Sequence, residues 1–234
     1  MVKEWQTQLL NAANPEKIKI FSSFFKTGKG EYGEGDKFIG LSVPQNRSIA
    51  KKYISANFND IDIMLQHEIH EYRLSGFLAL VEKFKRSKDP IIKKEIAEFY
   101  VARGTCANNW DLVDLSAPYI LGMHLLDNPN TQLLDQLSKS DNLWLQRIAI
   151  VSTLMLIRHN KYFDTLLLAE RYLSHPHPLI HKATGWMLRE IGKRDEHILL
   201  EFIYKYVLKM PRTTLRYAIE RLNPQLRHSI MLIK

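Results

Sequence analysis

Cysteine is nearly missing from this chain: Cys106 is the only one in 234 residues, which excludes an intrachain disulfide and any zinc site built from several thiolates. Long apolar runs are missing too, with nowhere the roughly 18 consecutive apolar residues of a membrane span. The opening "MVKEWQTQLL" carries Lys3 and Glu4 and no export-type apolar segment, so a cytoplasmic location is expected and the sequon "NRS" at Asn46 is without meaning. No Pro/Gly/Ser-rich linker interrupts the sequence, which predicts one domain over 1–234. Alternating runs of β-branched and polar residues separated by turn dipeptides are also lacking, so the predicted class is all-α. Acidic residues are in deficit, 25 against 33 Lys and Arg, for a net charge of +8. With 45% hydrophobic residues this describes a folded protein with a cationic surface, suited to a polyanionic partner.

What is present is a period. The segments "EYRLSGFLALVEKF", "LQRIAIVSTLML", "IHKATGWMLREI" and "LRYAIERL" each place a basic residue ahead of small and apolar ones. Taking Arg73, Arg147, Lys182 and Arg216 as equivalent gives spacings of 74, 35 and 34, so a missing member belongs near position 110, where Trp110 stands. Such a period with helical signals predicts an α-solenoid of HEAT-like helix pairs, because one pair cannot bury its apolar face alone. In "SDNLWLQRIAIVSTLML" the apolar positions Trp144, Ile148, Val151 and Met155 share a helical stripe, with Ser140 or Asp141 as N-cap. Turns are marked by "NPE" at 14, "KDP" at 88, "DNPN" at 127, "HPHP" at 175 and "NP" at 223, dividing the chain into roughly twelve helices. The repeat core is expected from about 44 to 234, preceded by N-terminal helices and a glycine-rich loop at 26–37.

In a curved solenoid, residues in equivalent phase form a row on one face. Arg73, Arg147, Lys182 and Arg216, with Arg189 from the same segment, would make a basic stripe for regularly spaced phosphates. Within "NNWDLVDLSAPYIL", Asp111 is explained as an N3 carboxylate below an Asn108 N-cap. Asp114 has no such explanation: it lies further into the helix, in the phase of the cationic row, where it would repel a polyanion. Of the four tryptophans, Trp5 and Trp144 read as packing residues. Trp110 and Trp186 are either core residues as well or, on the ligand side, would flank Asp114.

The segments "NNWDLVDLSAPYILG", "SDNLWLQRIAI" and "IHKATGWMLREIGK" resemble those of the AlkD-type DNA alkylation repair proteins, which are HEAT-like DNA glycosylases, and the resemblance runs from "FIGLSVPQNR" at 38 to the end. It implies a cofactor-free, monofunctional enzyme of base excision repair that hydrolyses the N-glycosidic bond of 3-methyladenine and 7-methylguanine in double-stranded DNA. It places the catalytic carboxylate at Asp114, an aromatic cradle for the deoxyribose at Trp110 and Trp186, and a backbone contact at Arg147, without extrusion of the base into an enclosed pocket. The chemistry is coherent: alkylation makes the purine a cationic leaving group that needs no general acid, and a carboxylate stabilises the oxocarbenium-like sugar. No lysine stands in a Schiff-base context. A monomer without a membrane partner is expected; the alternatives are a non-catalytic HEAT-like protein binding distorted or branched DNA, and a protein-interaction scaffold.

Two segments do not fit a familiar motif. "FSSFFKTGKGEYGEGDKFIG" offers Phe24, Phe25 and Tyr32 where the family has a lesion-side aromatic, without a secure match, and it lacks the GK[ST] ending of a nucleotide-binding loop. "HEIHE" at 67–71 has its histidines three apart rather than the zincin four, and is expected on the solvent side of a helix with no metal.

Overall fold

The computed structural model describes residues 1–233. Among them the chain is all-helical, with a single isolated bridge between Lys37 and Ile69 in place of any strand. The helices are α1 (Val2–Asn11), α2 (Pro15–Phe24), α3 (Val43–Ala50), α4 (Phe58–Leu65), α5 (His70–Arg86), α6 (Pro90–Ala102), α7 (Trp110–Asp114) and α8 (Met123–Asp127), then α9 (Thr131–Ser138), α10 (Leu143–Arg158), α11 (Phe163–Arg171), α12 (Pro178–Gly192), α13 (Glu196–Tyr206), α14 (Arg212–Ala218) and α15 (Pro224–Leu232). The proline signals open helices: Pro15, Pro90, Pro178 and Pro224 each sit in a first turn behind Asn14, Asp89, His177 and Asn223, whose side chains accept from backbone amides. Short segments such as α7 and α8, joined by a π-helical turn at Pro118–Gly122, make the helices more numerous than the turn signals indicate. The α10 cap is Asn142, which accepts from Trp144 and Leu145 N, while Ser140 instead receives the Asn142 amide.

The packing divides into two compact units, Met1–Leu121 and Gly122 onward. In the first, α5 is the axis. It is buried along almost its whole length, and α1, α3, α4, α6 and α7 pack against it. Trp5 closes the N-terminal side, lying parallel to Tyr53 at 4.8 Å with its indole N–H donated to Ser75 at 2.8 Å.

The second unit has the expected regularity. Helices α10, α12 and α14 lie side by side, and α9 and α11 form a layer against them, the stacking of an α-solenoid. The small residues of "KATGW" explain the tightest joint. A Cβ on Gly185 would stand 2.5 Å from that of Tyr217 and 2.6 Å from the Thr214 carbonyl, so only glycine lets α12 and α14 approach this closely.

Candidate active site

The site grows out of α7, a helix of five residues started by Asn109, whose side chain accepts from Trp110 N at 2.9 Å. Its Nδ2 reaches the Phe25 carbonyl at 3.4 Å and ties α7 to the end of α2. Trp110 and Asp114, four apart, share one helix face and both line a cavity of about 400 Å³. The aromatics of the N-terminal segment form the adjoining wall. Phe25 stacks with Trp110 at 5.3 Å and with Phe38, nearly parallel, at 5.1 Å, while Phe24 meets Trp110 edge-on at 5.5 Å. Phe24 remains 59% exposed despite that contact, so a large ring stands at the mouth of the cavity facing water.

Beneath the aromatics lies a buried ionic network. His70 Nδ1 bonds Asp36 at 3.0 Å and its Nε2 bonds Asp111 Oδ2 at 2.9 Å. Arg73 pairs with the same Asp36, and Asn108 also donates to it. Burial works against a charged imidazole, but the Asp111 charge and the hydrogen bonds that His70 donates to both carboxylates outweigh it and push its pKa up to about 9. Asp36 is held below the ordinary carboxylate range: burial would raise it, but the His70 hydrogen bond and the Arg73 charge prevail. Glu71 serves the neighbouring turn by accepting from the amides of Ile39, Gly40 and Leu41 at 2.8 to 3.1 Å. That turn requires Gly40, which has φ +80° and whose Cβ would collide with the Asn14 carbonyl.

These contacts correct three expectations. Asp111 is not part of a cap built on Asn108; the cap is Asn109, and Asp111 is a partner of His70. The "HEIHE" residues His70 and Glu71 are buried rather than solvent-facing. Among the described residues, no group of His, Cys, Asp and Glu is arranged to hold a metal. Arg73 is not an open cation: it is 6% exposed and engaged by Asp36, Asn108 and the His67 carbonyl.

The remaining cations lie in the second unit. Arg147 is 5% exposed with Nη1 donated to the Leu179 carbonyl at 2.6 Å, so it does not project into a solvated row either. Both arginines spend donors inside the protein. Lys182 and Arg216 are exposed, and Arg189 is half-buried in a pair with Glu220. Trp186 is half-buried on α12, its indole N–H donated to Glu190 at 3.2 Å. Asp114 is half-buried, and its charge adds to the larger effect of burial in lifting the Tyr100 hydroxyl above its ordinary range. Sequence reasoning assigned no role to Asp36, took His70 for a solvent-side residue, and had Phe24 only as one of three aromatics without a secure match. Only the density of phenylalanines near 24 and the odd placement of His and Glu in "HEIHE" hinted at them.

An all-helical chain with stacked repeat helices and a carboxylate beside tryptophan defines a class of helical-repeat protein with a small built site. Its sequence matches the model of the DNA alkylation repair enzyme family over residues 5–222, and the chain belongs to that family. Its fold is similar to a solved structure described as a predicted DNA alkylation repair enzyme from Enterococcus faecalis, with TM-score 0.70 and 19% identity over 91% of this chain and 97% of that one. No curated protein matches the sequence.

Proposed function

We propose that this protein is a DNA glycosylase that hydrolyses the N-glycosidic bond of cationic alkylated purines, 3-methyladenine and 7-methylguanine, in duplex DNA. The observation that carries the reading is Asp114 on one helix face with Trp110, at the edge of an aromatic-walled cavity, in a chain of the alkylation repair family. An N3- or N7-alkylated purine leaves with the glycosidic electron pair and thereby loses its positive charge, so protonation of the leaving group is not needed. The sugar becomes oxocarbenium-like. Asp114 stabilises that cation and orients the attacking water, whose proton the carboxylate accepts as the new C–O bond forms. Trp110 offers its π face to the sugar cation, worth roughly 0.5–2 kcal/mol. Lys182 and Arg216, exposed on the neighbouring helices α12 and α14, supply contacts to backbone phosphates.

The reading is tested by incubating purified protein with methylated duplex DNA and following free methylated purine. Release of 3-methyladenine and 7-methylguanine is expected. Duplex binding without release would instead leave a non-catalytic DNA-binding protein.

A further inference from the structure

One ionisable group buried in the first unit takes no part in the reaction as described: the imidazole of His70. Both of its nitrogens lie within hydrogen-bond distance of carboxylates, Nδ1 of Asp36 at 3.0 Å and Nε2 of Asp111 at 2.9 Å. A neutral imidazole carries a proton on one nitrogen alone, so two such bonds to ionised carboxylates require the imidazolium. The two carboxylates do not depend on it equally. Asp36 also accepts from Asn108 and pairs with Arg73, whereas Asp111 Oδ1 is buried without a partner and its Oδ2 receives His70. Removal of the proton therefore leaves Asp111 the less compensated charge.

Asp111 is also where the network meets the reacting groups. It follows Trp110 directly and stands three residues before Asp114 on the five-residue α7. Asn108, two residues ahead of Trp110, is tied to the same Asp36 at 3.2 Å. The imidazole itself lies against Phe25 at 5.0 Å, and Phe25 stacks with Trp110. Resting on the glycosylase reading above, we propose that His70 is a positioning residue for the reaction: bonded between Asp36 and Asp111, it holds α7 so that Trp110 and Asp114 meet the sugar together, and it offsets an Asp111 charge that would repel Asp114. It touches no substrate. The charges facing it are Asp111 from α7, Asp36 from the glycine-rich loop and, beyond Asp36, Arg73 from its own helix. Phe25 and Phe38 cover its ring and bring none, while Glu71 turns to the amides of Ile39, Gly40 and Leu41. The nearest charges of α3 and α4 are engaged elsewhere, Arg47 with Glu82 and Asp62 with Arg103.

The test follows single-turnover release of 7-methylguanine from methylated duplex under saturating full-length protein, from about pH 7 to about pH 10, in parent, Asp36→Asn and His70→Gln. Spontaneous release is subtracted and duplex affinity is measured in parallel. The parent rate should fall roughly tenfold or more as pH rises through about 9, where His70 loses its proton. Asp36→Asn removes one of the two carboxylates that hold the proton, so its fall should come about one pH unit lower. Titration of the substrate would strike both proteins at the same pH. His70→Gln should be slower by roughly tenfold or more at neutral pH and lack the alkaline fall, with duplex affinity unchanged. Coincident falls in parent and Asp36→Asn overturn the inference, as does a His70→Gln protein that matches the parent rate or loses affinity in step with it. To separate misfolding from misplacement, hydrogen exchange of the α7 amides is compared with that of α10 and α12 in the same samples. Loss of protection confined to α7 is expected, at lower pH in Asp36→Asn than in the parent; equal protection in the two proteins at every pH overturns the inference as well. The glycosylase reading fails separately, by absence of release from the parent at neutral pH, and the exchange comparison then decides by itself whether His70 holds α7.

Discussion

The two compact units solve different problems with the same secondary structure. The second is regular: α10, α12 and α14 repeat one contact, small residues bring the helices together, and exposed cations stand on their surface. The first is built around one buried helix, with four charged side chains, Asp36, His70, Arg73 and Asp111, enclosed beneath aromatic rings. Regular packing gives stability by repetition, each helix covering its neighbour's apolar face. The irregular unit holds a short helix, α7, in an orientation that its five residues could not maintain alone, since an isolated helix of that length is unstable in water. The difference therefore separates a scaffold from a positioned site, and each half of that statement can be broken independently.

The largest effect is expected at His70. Replacing it by Ala leaves Asp36 and Asp111 buried without the cation between them, and breaking such a network costs about 3–5 kcal/mol. Chemical denaturation should show the loss, and an unchanged midpoint would remove the network from the account of how α7 is held. In the regular unit, Gly185→Val should destabilise by about 1–3 kcal/mol, because the added atoms meet Tyr217 and Thr214 where α12 crosses α14. A neutral result there would mean that the repeat contact is looser than the structure shows.

A gentler perturbation of the first unit is pH. His70 has a folded-state pKa raised to about 9, so its stabilising contribution is complete below its unfolded value near 6.5 and is lost as pH rises through 9. Thermal unfolding midpoints should fall across that window in the parent, and the His70-dependent part of the fall should vanish in His70→Gln. A smaller effect, confined to DNA affinity, is expected from the surface of the second unit. Lys182→Ala and Arg216→Ala should each flatten the dependence of log K on log salt by about one unit, with little change in stability. Unchanged slopes would take both residues out of the interface.

The regular unit was the more legible of the two. A period near 35 placed Arg147, Lys182 and Arg216 on neighbouring helices, as the packing of α10, α12 and α14 shows. Equivalence of position did not give equivalence of exposure, because Arg147 finds the Leu179 carbonyl within reach whereas Lys182 and Arg216 stay in solvent. In the first unit, the spacing of Trp110 and Asp114 was readable from helical geometry. The ionic network was not, since its partners lie 34 and 41 positions from His70 and only tertiary packing joins them. Phe24 was visible as one aromatic among several, but its placement against Trp110 depends on how α2 ends and where α7 begins.

The central claim is that Asp114 performs chemistry at this site, and it is tested most directly by single-turnover release of 7-methylguanine from methylated duplex under saturating enzyme, comparing parent with Asp114→Asn. Duplex affinity measured in parallel should be equal or higher in the variant, because a carboxylate has been removed from the path of a polyanion. Loss of the group that stabilises the sugar cation should slow release by roughly 10²-fold or more. Equal release rates in the two proteins would contradict the account.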